Sequence, residues 1–155
     1  MCLTILVTGG ARSGKSSFAE KRTKQLGSSL MYIATSEIID TEMEKRVAEH
    51  QARRGSEWQT LHAPLKLTEA LSETDGKGPC LVDCLTIWLN NLIFHNEDTI
   101  VATKELIKVL EQRSDPVVLV TNEVGSGIVP ENALARRFRD EAGRMNQIIS
   151  QVADE

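Results

Sequence analysis

The stretch Leu3-Thr4-Ile5-Leu6-Val7-Thr8 runs directly into Gly9-Gly10-Ala11-Arg12-Ser13-Gly14-Lys15-Ser16, at the start of this 155-residue chain. An apolar run rich in β-branched residues leads into a glycine-rich turn, and the turn opens a helical pattern with apolar residues on one face. Strand, loop and helix are therefore predicted in that order. In this setting the spacing Gly-x4-Gly-Lys-Ser is typical of a phosphate-binding loop, and the flanking strand and helix argue against a chance match on a surface loop.

Each residue type in this loop has a reason in phosphate chemistry. Glycines at positions 9, 10 and 14 allow backbone N–H groups to approach phosphate oxygens closely. Lys15 supplies a positive charge for the terminal phosphates, and Ser16 offers its hydroxyl to Mg²⁺. The first helical turn adds the positive end of its dipole. We therefore predict that residues 9–16 bind a nucleotide together with Mg²⁺.

Composition limits the other classes of function. The chain has 18 Lys+Arg against 22 Asp+Glu, so no overall positive charge draws it to nucleic acid or to an anionic membrane. Aromatic residues make up only 4% of the chain, which argues against a base-stacking surface. No apolar run approaches the roughly 20 residues of a membrane span, and the N-terminus lacks a signal-peptide pattern. We expect a cytoplasmic protein in which residues 1–155 form a single domain.

The pattern of strands and helices predicts an α/β fold. Four continuously apolar strands are expected at residues 3–8, 30–34, 80–84 and 117–121, with a weaker fifth at 58–62. Helical patterns lie between them at 15–26, 40–54, 65–73, 85–95 and 98–113, and a last one begins near Pro130. Buried strands that alternate with helices indicate a mostly parallel sheet covered on both faces.

Ligands of such sheets bind beyond the carboxyl ends of the strands, which points to residues 9–16, 34–36, Asp83 and 121–127. Asp83 is a candidate to orient Mg²⁺, and Glu123 is its rival. We favour Asp83 on the premise that its strand lies beside the first strand. The alternative is that Asp83 only caps the helix that follows it.

The helix at 40–54 carries a second candidate group. Arg46, His50 and Arg53 project from one face, so an imidazole lies between two guanidinium groups. Neighbouring positive charge favours the neutral, nucleophilic form of the ring, and the arginines would hold phosphates beside it. From spacing alone, a solvated surface histidine is the competing interpretation, and His62 and His95 are weaker candidates.

Together these segments resemble a known family. Gly9 to Ser16, Tyr32-Ile33-Ala34-Thr35-Ser36, the helix with Arg46 and His50, Trp58, and the stretch from Val118 to Asn132 are similar to the bifunctional adenosylcobinamide kinase / adenosylcobinamide-phosphate guanylyltransferases. The segment Thr121-Asn122-Glu123-Val124-Gly125-Ser126-Gly127-Ile128-Val129-Pro130 is more specific to that family than the phosphate-binding loop. The resemblance extends over essentially the whole chain.

The resemblance implies a two-step role in cobalamin biosynthesis. ATP or GTP phosphorylates adenosylcobinamide, and GTP then donates GMP to the product through a guanylylated histidine, which matches His50. Lys15 is the other residue implied in catalysis, and Ser16 and Asp83 are implied at the metal. The family's nucleotide contacts fall on Gly9, Gly10, Ala11, Arg12, Ser13, Gly14, Lys15, Ser16, Ala34, Thr35, Ser36, Gln51, Ala52, Arg53, Arg54, His62 and Asp83.

The resemblance also implies a RecA-like P-loop NTPase fold and a homotrimer. Two departures from the family are visible: His62 stands where relatives often have an acidic residue, and relatives continue past Glu155 into a further apolar strand. Two rival functions remain open at this point, a simple small-molecule kinase and a nucleotide-binding switch without turnover.

Overall fold

A computed structural model describes residues 2–155 and shows strands alternating with helices along the chain. The strands are β1 (Thr4–Gly9), β2 (Leu30–Ala34), β3 (Trp58–His62), β4 (Cys80–Asp83) and β5 (Val117–Asn122). The helices are α1 (Lys15–Lys24), α2 (Thr41–Arg53), α3 (Leu67–Thr74), α4 (Leu85–Phe94), α5 (Thr99–Gln112) and α6 (Ala133–Ser150). The four strands predicted from apolar runs are confirmed. The weaker fifth prediction, at residues 58–62, is also confirmed and corresponds to β3.

The five strands form one parallel sheet in the order β1-β5-β4-β2-β3. This confirms the predicted α/β architecture, which is that of a P-loop NTPase. The premise used to favour Asp83 is wrong, because β5 and not β4 lies beside β1. Strand order depends on contacts that are distant in sequence, so the apolar runs alone did not reveal it.

Side chains alternate between the two faces of the sheet, and each face has its own core. One face, which includes Val118 and Tyr32, packs against Ala19 of α1. The opposite face, which includes Ile33 and Leu119, packs against the apolar sides of α3, α4, α5 and α6. Both faces are therefore covered by helices, as the sequence predicts.

The helix α2 differs from the helices that cover the sheet, because none of its residues is buried. Its N-terminus is capped by Asp40, whose carboxylate accepts a hydrogen bond from the Met43 N–H at 2.8 Å. Apart from this cap, α2 gains little from packing within the chain. It is the helix that carries His50.

The last helix begins later than the sequence analysis expected. It starts at Ala133 rather than near Pro130, because the Asn132 side chain caps it by accepting a hydrogen bond from the Ala135 N–H at 3.1 Å. An asparagine at this position satisfies one of the free N–H groups of the first turn.

The end of the chain does not continue the last helix. The helix ends at Ser150, and Glu155 runs beside β1. The Glu155 N–H donates to the Thr4 carbonyl at 3.4 Å, and its carbonyl accepts from the Leu6 N–H at 2.9 Å. This is the hydrogen-bond pattern of a parallel pair, so the terminal residues are tied to the outer edge of the sheet.

Candidate active site

The phosphate-binding loop has the backbone geometry that its glycines predict at two of three positions. Gly14 has a φ of +84°, a left-handed conformation that favours glycine. A Cβ on Gly9 would lie 2.6 Å from the Ser13 Oγ and 3.3 Å from the Ser13 Cβ, so Ser13 would have to shift to admit a side chain there. A Cβ on Gly10 would meet no atom within 4 Å, so the folded chain itself does not require glycine at that position.

The loop is exposed and leaves its charged group within reach of solvent. The Lys15 ammonium donates to the Gly10 carbonyl at 3.1 Å, and Ser16 is exposed on the first turn of α1. A cavity of about 500 Å³ adjoins the loop and is lined by Ser13, Gly14, Lys15, Phe18 and the outer edge of β1. Ala11 and Arg12 are also exposed.

The parallel register brings the other predicted strand-end residues to the same edge of the sheet. Ala34 pairs with His62 on one side and with Asp83 on the other. Gly9 pairs with Asn122, at the start of the phosphate-binding loop. Because adjacent strands are about 4.8 Å apart, the strand carrying Asp83 lies roughly 10 Å from the strand that leads into the loop.

His50 lies at this same edge. A cleft of about 180 Å³ is lined by residues from β2, α2, β4 and α4, namely Tyr32, Ala34, Ser36, Val47, His50, Arg54, Asp83 and Ile87. Tyr32 and Ala34 belong to the face of the sheet on which α1 packs. The His50 cleft and the phosphate-binding loop therefore share one edge and one face of the sheet, although they form two separate cavities.

The residues that follow His50 attach α2 to the sheet. The Gln51 side-chain amide donates to the His62 Nε2 at 3.0 Å, which joins α2 to the end of β3. The Arg54 guanidinium lies 3.6 Å from the centre of the Tyr32 ring. Ala52 and Arg53 are exposed.

The arginines predicted to flank His50 are not equivalent. Arg46 donates to the Glu42 carboxylate at 2.7 Å, one turn earlier on the same helix. Its charge is therefore partly compensated before any phosphate arrives. Arg54, which the face analysis did not include, is the arginine that shares the cleft with His50.

Thr35 lies behind the site rather than in it. Its side chain is fully buried, and its hydroxyl donates to the Cys84 carbonyl at 2.7 Å and accepts from the Cys84 N–H at 2.9 Å. The Thr35 carbonyl accepts from the Asn91 amide at 2.8 Å. These bonds hold the end of β2 against the start of α4, so the Thr35 side chain supports the cleft and does not line it.

The two rival carboxylates have different partners. The Glu123 carboxylate accepts from the Gly125 N–H at 2.6 Å and from the Ser126 N–H and hydroxyl at 3.3 and 2.8 Å. The Ser126 hydroxyl, followed by these backbone donors, lowers the pKa of Glu123 below its usual range. The Asp83 carboxylate accepts from the Tyr32 hydroxyl at 2.7 Å through Oδ2. Glu123 is thus engaged by its own loop, whereas Asp83 faces the His50 cleft.

The donors present suit a magnesium ion that arrives with a nucleotide. Within residues 2–155 there is no group of three or more His, Cys, Asp or Glu side chains that could hold a metal ion. Mg²⁺ is usually held by one or two protein oxygens together with substrate phosphates. The exposed Ser16 hydroxyl and the Asp83 carboxylate are oxygen donors of that kind.

Tyr32 is the site residue that the sequence analysis did not single out for a role of its own. It is the one tyrosine of the chain, and strand alternation places it on the same face as Ala34. A hydroxyl on that face, two residues before the strand end, is the signal that was available in the sequence.

Comparison with known proteins relates the chain to one family. The family model described as "Cobinamide kinase / cobinamide phosphate guanyltransferase" matches residues 5–155. The chain is 43% identical to the "Bifunctional adenosylcobalamin biosynthesis protein CobP" of Pseudomonas aeruginosa, over 94% of this chain and 86% of that protein.

Two further relatives are called "Bifunctional adenosylcobalamin biosynthesis protein CobU". The protein from Salmonella typhimurium is 42% identical and the one from Escherichia coli is 41% identical. In each case the match covers 99% of this chain and 93% of the relative. Across the part of the chain that the structure describes, no helix is both long and apolar enough to pass through a membrane.

Proposed function

The chain belongs to the cobinamide kinase / cobinamide phosphate guanyltransferase family, and on that premise we propose that it catalyses both reactions in sequence. A nucleoside triphosphate first phosphorylates the hydroxyl of adenosylcobinamide. GTP then donates GMP to the phosphate product, which yields adenosylcobinamide-GDP and pyrophosphate. The observation that carries the proposal is that the His50 cleft and the phosphate-binding loop lie at one edge and on one face of the sheet.

The phosphate-binding loop serves both steps in this proposal. Backbone N–H groups of residues 9–16 surround the phosphate oxygens, and Lys15 moves from the Gly10 carbonyl onto the phosphates. Ser16 and Asp83 would hold Mg²⁺, which when bound neutralises charge on the phosphates. Ala34, Ser36, Arg53, Arg54, His62 and Asp83 lie at or near the same edge and provide the remaining predicted nucleotide contacts. Thr35 contributes by holding the end of β2 and Gln51 by its hydrogen bond to His62, and Ala52 remains a predicted contact.

The kinase step needs no protein nucleophile. The substrate hydroxyl oxygen attacks the γ-phosphorus, the bond from the γ-phosphorus to the β-bridging oxygen breaks, and the nucleoside diphosphate leaves. The hydroxyl proton is released to solvent or to a phosphate oxygen. The loop and Lys15 contribute by holding the triphosphate and stabilising the charge that moves onto the leaving group.

The transferase step uses His50 as the nucleophile. A neutral ring nitrogen attacks the α-phosphorus of GTP, the bond from the α-phosphorus to its bridging oxygen breaks, and pyrophosphate leaves. A phosphate oxygen of the substrate then attacks the same phosphorus, and the P–N bond breaks to restore the histidine. Because α2 buries none of its residues, it can shift toward the loop at little cost in packing.

We also propose the finer properties that accompany the family resemblance. Residues 1–155 form a single nucleotide-binding domain, the protein is a cytoplasmic homotrimer, and it does not act on nucleic acid. Exposed apolar side chains, such as Phe18, Ile39 and Ile128, support an assembly that covers part of this surface.

Labelling with GTP tests the transferase assignment. With α-³²P-GTP and Mg²⁺, the wild-type protein should acquire an acid-labile, alkali-stable label, as expected of a phosphoramidate. His50→Ala should remove the label and retain phosphorylation of adenosylcobinamide. His95→Ala is the matched control, because His95 is also exposed but lies at the end of α4, where it contacts Glu37 at 2.9 Å.

Lys15→Ala tests the shared loop and should reduce both reactions by about 100-fold or more. A wild-type protein that phosphorylates adenosylcobinamide without acquiring any label is a kinase alone. Binding of GTP with no phosphorylated product would indicate a nucleotide switch. Equal loss of both activities in His50→Ala would show that α2 serves shared binding and not nucleophilic catalysis.

A further inference from the structure

We propose that Tyr32 is a positioning residue for guanylyl transfer, which holds Asp83 with its hydroxyl and Arg54 with its ring. This inference rests on the proposed role of His50. It adds that one side chain keeps the Asp83 carboxylate and the Arg54 guanidinium apart within the His50 cleft. Within residues 2–155, Tyr32 is the cleft residue that makes both a hydrogen bond to Asp83 and a cation–π contact with Arg54.

The first contact is the hydrogen bond from Tyr32 to Asp83. The Tyr32 side chain is buried on the sheet face that carries α1, and its hydroxyl donates to the Asp83 Oδ2 at 2.7 Å. The phenol donates this bond and fixes one oxygen of the carboxylate, while the other oxygen has no hydrogen-bond partner within residues 2–155.

The second contact is the stacking of Arg54 on the tyrosine ring. The guanidinium carbon lies 3.6 Å from the ring centre, the geometry of a cation–π contact. The Arg54 Nε is buried and has no hydrogen-bond partner within residues 2–155. The ring, and not a hydrogen bond to that nitrogen, therefore holds the guanidinium. Trp58 supports the ring edge-on, with centroids 5.9 Å apart.

These contacts matter because of where Arg54 lies in the chain. It is the C-terminal cap of α2, four residues after His50. Since α2 has no buried residue, its position depends on attachments such as the contact of Arg54 with Tyr32. The hydrogen bond between Gln51 and His62 is another attachment at this end.

Tyr32 also separates two opposite charges that share a small cleft. Asp83 and Arg54 both line it, yet neither takes part in an ion pair among the residues that the structure describes. Without the ring and its hydroxyl, the carboxylate and guanidinium would be free to approach and neutralise each other. A nucleotide would then have to break that pair before it could use either group.

Two double-mutant cycles test the inference, with single-turnover formation of His50-GMP from α-³²P-GTP as the measurement. Tyr32→Phe removes the hydroxyl and keeps the ring, and it should slow labelling about fivefold. In the Asp83→Asn background, the same substitution should add less than about twofold, because its effect passes through Asp83. Equal slowing in both backgrounds would overturn the hydroxyl part of the proposal.

The second cycle isolates the ring. Tyr32→Leu removes the ring as well as the hydroxyl, and it should be labelled about tenfold more slowly than Tyr32→Phe. This difference between the two variants should vanish in the Arg54→Met background. Loss of the ring should affect labelling more than phosphorylation of adenosylcobinamide, because only the transferase step uses the nucleophile carried by α2. A ring effect that persists in Arg54→Met, or that slows both reactions equally, would show a general packing role and refute the proposal.

The thermal midpoint of each variant is measured in parallel. If Tyr32→Leu fails to fold, Trp58→Phe tests instead whether Trp58 holds the Tyr32 ring in place. Trp58→Phe should slow labelling, and this effect should disappear in the Arg54→Met background. A wild-type protein that never forms His50-GMP would refute the proposed function itself. Normal labelling that is unchanged by Tyr32→Phe and Tyr32→Leu would refute only the role of Tyr32.

Discussion

Replacing Thr35 with valine should destabilise the fold more than replacing it with serine, although valine preserves the shape of the side chain. The Thr35 hydroxyl is fully buried, donates to the Cys84 carbonyl at 2.7 Å and accepts from the Cys84 N–H at 2.9 Å. Valine removes both bonds. The carbonyl keeps a second partner, the Trp88 N–H at 3.3 Å, but the Cys84 N–H loses its acceptor.

The expected cost follows from these contacts. A buried N–H without a partner costs about 1–3 kcal/mol, and the weakened bonding of the carbonyl adds about 0.5–1.5 kcal/mol. Thr35→Val should therefore lower the free energy of unfolding by about 2–4 kcal/mol, a large part of the roughly 5–15 kcal/mol typical of a domain. Thr35→Ser keeps the hydroxyl and loses one methyl group, which costs about 1 kcal/mol.

Urea unfolding followed by circular dichroism measures the difference. With a typical slope of about 2 kcal/mol per molar urea, the midpoint for Thr35→Val should fall about 1–2 M below that of the wild type, with Thr35→Ser in between. The slope should be the same in all three proteins. If the valine variant is at least as stable as the serine variant, the hydroxyl does not join β2 to the start of α4 in the way described.

Two further outcomes follow from groups outside the cleft. Arg113→Ala should lower the free energy of unfolding by about 2–4 kcal/mol in the same assay, because the buried guanidinium donates to the Leu71 carbonyl. Lys108→Ala is the control: Lys108 lies on the exposed side of α5, and its replacement should change the free energy of unfolding by less than about 0.5 kcal/mol. The pKa of Glu123 is lowered in the folded protein. The ionised carboxylate therefore orders the loop at residues 123–126 fully at pH values above the ordinary pKa of a glutamate. This ordering is lost as the pH falls through the lower pKa of the folded protein. Amide exchange at Gly125, corrected for its intrinsic pH dependence, should accelerate over that acidic range in the wild type and stay flat in Glu123→Gln. A flat wild-type profile would show that the carboxylate does not order the loop.

The phosphate-binding loop and the strands were predictable because their causes are local. In Val117–Asn122 the first four residues are all apolar, which is enough to indicate a strand buried on both faces. Gly14 adopts the left-handed backbone that its place before the helix requires. The identity of the phosphate-binding edge then follows from parallel pairing, because all strands end on the same side.

Strand order was not predictable in the same way. Nothing in the composition of β4 or β5 says which of them lies beside β1, since both are continuously apolar. The preference for Asp83 over Glu123 therefore began from a wrong neighbour. The helix boundary at Asn132 was more accessible, because an asparagine three residues before Ala135 is a recognisable cap.

The histidine helix shows what a one-face projection omits. Arg46 and His50 do share a face, but the spacing of Glu42 and Arg46 also predicts an i,i+4 ion pair, and that pair forms at 2.7 Å. Conversely, Arg54 lies just past the end of the helix, where a helical projection no longer applies. Its cap conformation is extended, and this turns its guanidinium onto the Tyr32 ring.

The structure supplies a different reason to expect the metal at Asp83. A carboxylate that already accepts three hydrogen bonds from its own loop, as Glu123 does, would have to give them up to bind an ion. Within residues 2–155, Asp83 accepts one hydrogen bond, from Tyr32 to its Oδ2, and the residue lines the cleft that also contains His50. Proximity of β5 to the phosphate-binding loop therefore does not decide between the two carboxylates, because the nearer one is already used to shape the loop in which it lies.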